Sequence, residues 1–122
     1  MKKGAIFLLF VLLFSCQATD NDDIFCTTEV KAGLNVSVHL AESSSNIPIS
    51  DGVNVVARDG NYSETLQFFD PQNPIFYGAY ERPGTYTITV TKAGRQTYVS
   101  QPIVVTEDIC HVITQTVMVL LL

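Results

Sequence analysis

The chain has no tryptophan, two histidines and three cysteines in 122 residues. So thin a supply of imidazole and thiol leaves little material for a metal centre or a nucleophile relay. Basic residues are also scarce. Seven Lys and Arg stand against twelve Asp and Glu, a formal charge of −5. That balance excludes a nucleic-acid partner, which would call for clustered Lys and Arg against its phosphates. The opening apolar run, Ala5 to Phe14, has about half the roughly 20 residues that a membrane-spanning helix needs. There is no Gly-rich phosphate cradle, His-Glu-x-x-His, Gly-x-Ser-x-Gly or Cys-x-x-Cys. No segment shows sustained helical spacing with caps, and no internal repeat is evident. What remains is 47% hydrophobic residues against 16% charged. A chain so apolar can bury surface and is not disordered, and its length suits one domain.

Lys2 and Lys3, the run Ala5–Phe14 and the small residue Ser15 together describe a secretory signal. Leu13-Phe14-Ser15-Cys16 resembles a bacterial lipobox, with Phe14 bulkier than is usual there. The resemblance implies cleavage after Ser15 and a diacylglyceryl group on the Cys16 thiol, so the expected partner at this end is the membrane, through an N-terminal lipid. Without residues 1–15 the chain loses two lysines and no acid, and its formal charge moves from −5 to −7. Residues 16–25 read as the lipidated cysteine and an acidic tether, and residues 26–122 as the folded domain. Gln17 in place of Asp removes an inner-membrane retention cue. The expected location is therefore the outer membrane, facing periplasm or cell surface. Asp20, Asp22 and Asp23 resemble the acidic export signals of bacterial surface lipoproteins, and a plain solvated spacer fits them equally. No Gly turn or distal Glu completes a calcium loop around them.

With Cys16 acylated, Cys26 and Cys110 are the remaining thiols, and in an exported domain they are expected to form one disulfide. It would join the start of the domain to its last strand. His111 adjoins Cys110, but neighbouring strand residues point to opposite faces, which speaks against a shared site.

The rest of the chain alternates with a period of two. Leu34, Val36, Val38 and Leu40 interleave with polar residues, and Val53, Val55 and Ala57 alternate with Asn54, Val56 and Arg58. Asp59-Gly60 reads as a hairpin turn into a return strand over Tyr62–Phe68. Asp70-Pro71-Gln72-Asn73-Pro74 breaks that strand. Further strands are expected over Ile75–Glu81, Thr85–Thr91, Gln96–Ser100, Ile103–Thr106 and His111–Leu121. In the last of these, Ile113, Val117 and Val119 are assigned to one face and Val112 and Met118 to the other. Seven to eight short strands with frequent turns predict an all-β fold, a single antiparallel Ig-like β-sandwich.

Gly33–Leu40, then Ile47-Pro48-Ile49-Ser50-Asp51-Gly52-Val53-Asn54-Val55, then Gly78–Val90 with Pro83-Gly84-Thr85-Tyr86 and the turn Lys92-Ala93-Gly94, fall in a familiar order. Together, over about residues 32–106, they resemble the carboxypeptidase regulatory-like domain. Arg95 stands where that family usually has an aromatic residue. The resemblance implies a transthyretin-like β-sandwich that accompanies other proteins and has no peptidase activity of its own. Independently of the family, Tyr86 is expected to bury its ring and reach a loop carbonyl with its hydroxyl, locking a corner between sheets.

Few residues remain to carry chemistry. His39 and His111 would make a two-ligand metal site only if their strands paired, and exposed strand histidines are the simpler reading. Glu81 and Arg82 read as a surface pair. Asn35-Val36-Ser37 and Asn61-Tyr62-Ser63 match a glycosylation sequon that a bacterial lipoprotein does not ordinarily use. Phe68, Phe69, Phe76, Tyr77 and Tyr80 flank the Asp70–Pro74 loop. They either fill the core or, in the case of Phe69, Phe76, Tyr77 and Tyr80, present a ligand surface for sugar rings or a peptide. Val117–Leu122, apolar on both faces, is either a central strand or an edge that adds to a partner's sheet. The expected function is a non-enzymatic, lipid-anchored binding or structural module of the envelope, with an envelope protein or glycan as partner and no cofactor. The alternative is a carbohydrate-binding accessory that uses the aromatics of residues 68–80.

Overall fold

A computed structural model describes residues 24–44 and 46–122. The signal over residues 1–15, the lipid site at Cys16 and the acidic run to Asp23 lie outside the described residues. Eight strands form: β1 (Leu34–Leu40), β2 (Asn54–Asp59), β3 (Tyr62–Thr65), β4 (Phe76–Gly78), β5 (Gly84–Thr91), β6 (Tyr98–Val99), β7 (Ile103–Val105) and β8 (Gln115–Leu121). They make two sheets. One has three strands in the order β4-β1-β8; in the other, β3-β2-β5-β6, β7 also pairs with β5. The expected all-β sandwich is therefore present.

Alternation decides which side chains go inside. Leu34, Val36 and Val38 of β1, Val55 and Ala57 of β2, Tyr86, Ile88 and Val90 of β5, and Val119 and Leu121 of β8 are all buried between the sheets. Their β-branched and aromatic character suits a pleated, half-buried surface. Ser100 interrupts the strand that pairs with β5. Its hydroxyl donates to the Gln101 carbonyl and accepts from the Ile88 N–H, so the break between β6 and β7 leaves that β5 donor satisfied.

Pairing departs from a wholly antiparallel arrangement at one place: β8 runs parallel to β1, from Leu34↔Gln115 to Leu40↔Leu121. Parallel neighbours need a long connection. Here it is the whole intervening chain, because these are the first and last strands of the domain. The β2–β3 hairpin is also shifted by one residue from the expected turn. Asp59 pairs with Tyr62, and the two loop residues are Gly60, with φ +60°, and Asn61. A positive φ at the first loop position is what a type II′ turn requires. The return strand is shorter than expected. After Thr65 the chain crosses to the other sheet, where Gln67 bridges Tyr77 beside β4.

The Cys26–Cys110 disulfide forms, with the Cα atoms 5.2 Å apart. Cys110 is not on the last strand. It lies in a turn before β8, where its N–H and that of His111 donate to the Asp108 carboxylate. These two bonds hold Asp108 below the usual carboxylate range, the His111 amide contributing most.

Candidate functional site

Two polar clusters shape one end of the sandwich. In the first, the Tyr86 ring is fully buried and its hydroxyl donates to the Arg82 carbonyl at 2.7 Å, four residues upstream, as the sequence predicts. The Arg82 guanidinium donates to that same hydroxyl (2.9 Å) and to Asp59 (3.1 Å), and lies 3.7 Å above the Tyr62 ring. Gly84 leaves room beside it, because a Cβ there would run into the Asp59 carboxylate and push it off Arg82. In the second cluster, Glu81 accepts from the Lys31 and Val112 amides and, at 2.6 Å, from His111 Nδ1. Facing a carboxylate so closely, Nδ1 carries a proton, while Nε2 lies 2.9 Å from Thr27 Oγ1. Glu81 is held below the usual carboxylate range, first by the Lys31 amide and then by His111. Glu81 and Arg82 are therefore not a pair with each other, contrary to the sequence expectation. Adjacent in the chain, they are turned into separate clusters.

These clusters clamp a strained turn. Ala79 (φ 55°) and Glu81 (φ 49°) occupy the left-handed region without being glycine. Such residues cost on the order of 1 kcal/mol or more each and persist where surroundings over-determine them. Here the Ala79 N–H donates to Glu64 Oε1, the Glu81 N–H donates to the Lys31 carbonyl, and the Ala79 carbonyl accepts from Gly33 and Arg82. Between the two strained residues stands Tyr80, with 41% of its surface exposed.

Tyr80 forms one wall of a cleft of about 350 Å³ on the outer face of the three-stranded sheet. Phe69 and Tyr77 form another, their rings stacked at 6.0 Å between centroids and 20° between planes. Asn35 lies in the floor, paired with Tyr77 across β1 and β4. Its Oδ1 is buried without a hydrogen-bond partner. Thr114, with its hydroxyl donated to the Ala32 carbonyl, and Lys31 complete the rim.

Of the four aromatic residues proposed from sequence, Phe69, Tyr77 and Tyr80 come together here, and Phe76 does not. Phe76 is buried, opposite Val36 on the inner side of β4, with its ring edge-on to Phe68 at 5.3 Å. One-residue alternation along a three-residue strand sends Phe76 inward and Tyr77 outward. Sequence reasoning missed Asn35, whose outward position on β1 was legible but whose missing partner was not. The two histidines do not meet: His39 sits near the far end of β1, whereas His111 precedes β8, whose start pairs with the beginning of β1. Among the described residues no group of His, Cys, Asp and Glu has the makings of a metal site. No family model matches the chain, nor does any curated protein or solved structure.

Proposed function

We propose that this protein is a non-enzymatic, lipid-anchored envelope module whose outer-face cleft binds a glycan. The carrying observation is the stacked Phe69–Tyr77 pair beside the unpartnered Asn35 carboxamide oxygen. Sugar rings offer an apolar C–H face for an aromatic wall and hydroxyl donors for a buried acceptor. A covered oxygen with no partner forfeits its hydrogen bond in the free protein, and rotation of the Asn35 carboxamide toward the cleft would let a ligand hydroxyl restore it. The sequence resemblance over residues 32–106 to the carboxypeptidase regulatory-like domain, an accessory by nature, supports the same reading. The lipobox-like Leu13–Cys16 supports the anchor, and the acidic charge fits a partner that is not a polyanion.

The test is calorimetric titration of the full chain in detergent with neutral hexose and N-acetylhexosamine oligosaccharides. Phe69→Ala and Tyr77→Ala are each expected to weaken binding about tenfold, roughly 1.4 kcal/mol. Asn35→Leu is expected to remove binding while leaving thermal stability unchanged or raised, because it deletes an unsatisfied group. An absence of binding across the panel would sink the glycan reading. The anchor is tested apart, by Cys16→Ser, which should release the protein from membranes.

A further inference from the structure

β8 is the outermost strand of its sheet, and two bonds fix the direction of its peptide groups. The Gln115 N–H donates to the Gly33 carbonyl, and the Leu121 carbonyl accepts from the Ala41 N–H. With the unbroken register to β1, the odd-numbered residues of β8 bond to β1, and the N–H and C=O groups of Thr116, Met118 and Leu120 point along the open edge. Among the described residues, this edge of β8 is bonded at its two ends to the chain over residues 96–106. The Ile113 N–H donates to the Thr106 carbonyl at one, and the Gln96 N–H donates to the Leu122 carbonyl at the other. Edge strands are ordinarily blunted by lysine, proline, a bulge or a covering loop. Gln115–Leu122 contains no charge and no proline. Met118 and Leu120 are 63% and 55% exposed.

We propose that β8 pairs antiparallel with β8 of a second copy, about a twofold axis at Met118, to give a continuous sheet β4-β1-β8-β8-β1-β4. Centring on Met118 sets Thr116 opposite Leu120 of the partner subunit, so every free group in Thr116, Met118 and Leu120 finds a mate, about six inter-chain hydrogen bonds. A centre at Leu120 would call on the Leu122 carbonyl, which Gln96 already occupies. Charge selects both the partner and the direction. At −5, and −7 without residues 1–15, the net charge opposes self-association, and this uncharged edge is where two copies can approach. The turn leading into β8 carries Glu107 and Asp108, and the end of β8 adjoins the turn holding Lys92 and Arg95, of which Arg95 is paired with Glu42. Antiparallel pairing brings the acidic turn before β8 of one copy toward Lys92 of the other, whereas parallel pairing would oppose acid to acid. Closed twofold dimers built on one self-complementary patch are the commonest oligomers.

Cysteine cross-linking of the full chain in detergent tests the register. In Met118→Cys the two new thiols face each other at a Cα separation of about 5.5 Å, within disulfide range, and most of the protein should run as a covalent dimer after mild oxidation. Thr116→Cys, equally on the open edge, is the control. Two copies of residue 116 would lie about 14 Å apart, four residues along the strand, and should cross-link at least tenfold less. Met118→Lys should reduce the dimer fraction of the otherwise unsubstituted chain about tenfold in sedimentation, with the Cys26–Cys110 bridge retained as the check on folding. Equal cross-linking at 116 and 118, or an unsubstituted chain that sediments as a monomer at every concentration, overturns the proposal. So does a Met118→Cys adduct to a different envelope protein, which would make the edge a site for a foreign strand.

Discussion

Tyr86 joins a ring with no solvent contact to a hydroxyl that donates to the Arg82 carbonyl and accepts from the Arg82 guanidinium. Replacing it with phenylalanine leaves the ring in place and strands both partners, so Tyr86→Phe should cost about 1–2 kcal/mol, read from the urea unfolding midpoint. The loss should leave the disulfide intact, and a variant as stable as the parent would mean that the hydroxyl's partners find water instead. At this scale the sequence was legible where residue type alone restricts the answer. A tyrosine two residues after Pro83-Gly84 announces both its burial and its upstream carbonyl. Asn35 was opaque, because a polar residue on the outer face of a strand looks solvated until the neighbours that cover its oxygen are known. The left-handed conformations of Ala79 and Glu81 were equally hidden. They follow from hydrogen bonds to Lys31, Gly33 and Glu64, residues 15 or more positions away in sequence.

Among the elements, local alternation located β1, β2 and β5 nearly to the residue, since each pairs with one neighbour over most of its length, β1 with β8 and β2 with β5. His111–Leu121 failed for the opposite reason. Val112 bridges Glu107, and only from Gln115 does the chain lie against β1. The inward parity slips at this exchange, so Val112 is buried while Ile113 is exposed, reversing their assigned faces. The question left open for Val117–Leu122 is resolved in favour of an edge strand. The disulfide closes the same region, tying the segment before β1 to the turn before β8 across a separation of 84 residues. Chain-entropy reasoning gives such a cross-link about 2–5 kcal/mol. Paired Cys26→Ser and Cys110→Ser replacement should therefore lower the unfolding free energy by that amount, with fraying concentrated before β1 and in residues 106–114 by hydrogen exchange. Uniform loss of protection would contradict a local role.

For the whole molecule, acid is the natural stress. Glu81 and Asp108 are both held below the usual carboxylate range by backbone amides. Their folded forms bind protons less readily than the unfolded chain. The stability they contribute is thus complete at neutral pH and is lost as pH falls through the ordinary carboxylate range and below, from about pH 4. The melting temperature should decline over that interval, and Glu81→Gln should flatten the decline while lowering stability at pH 7. A pH-independent melting curve between 6 and 3 would refute the assignment. The parallel contact of β1 with β8 has a further, mechanical meaning. With the Cys26–Cys110 bridge reduced, pulling the domain by its two ends loads these strands in opposite directions along their common axis, from Leu34↔Gln115 to Leu40↔Leu121. The bonds between them then share the force in shear instead of parting one after another like a zip. With the bridge closed, tension passes instead from Cys26 to Cys110 and on along β8, so the chain between the two cysteines gains no length. A domain of this build extends little under tension, as a link in a chain does.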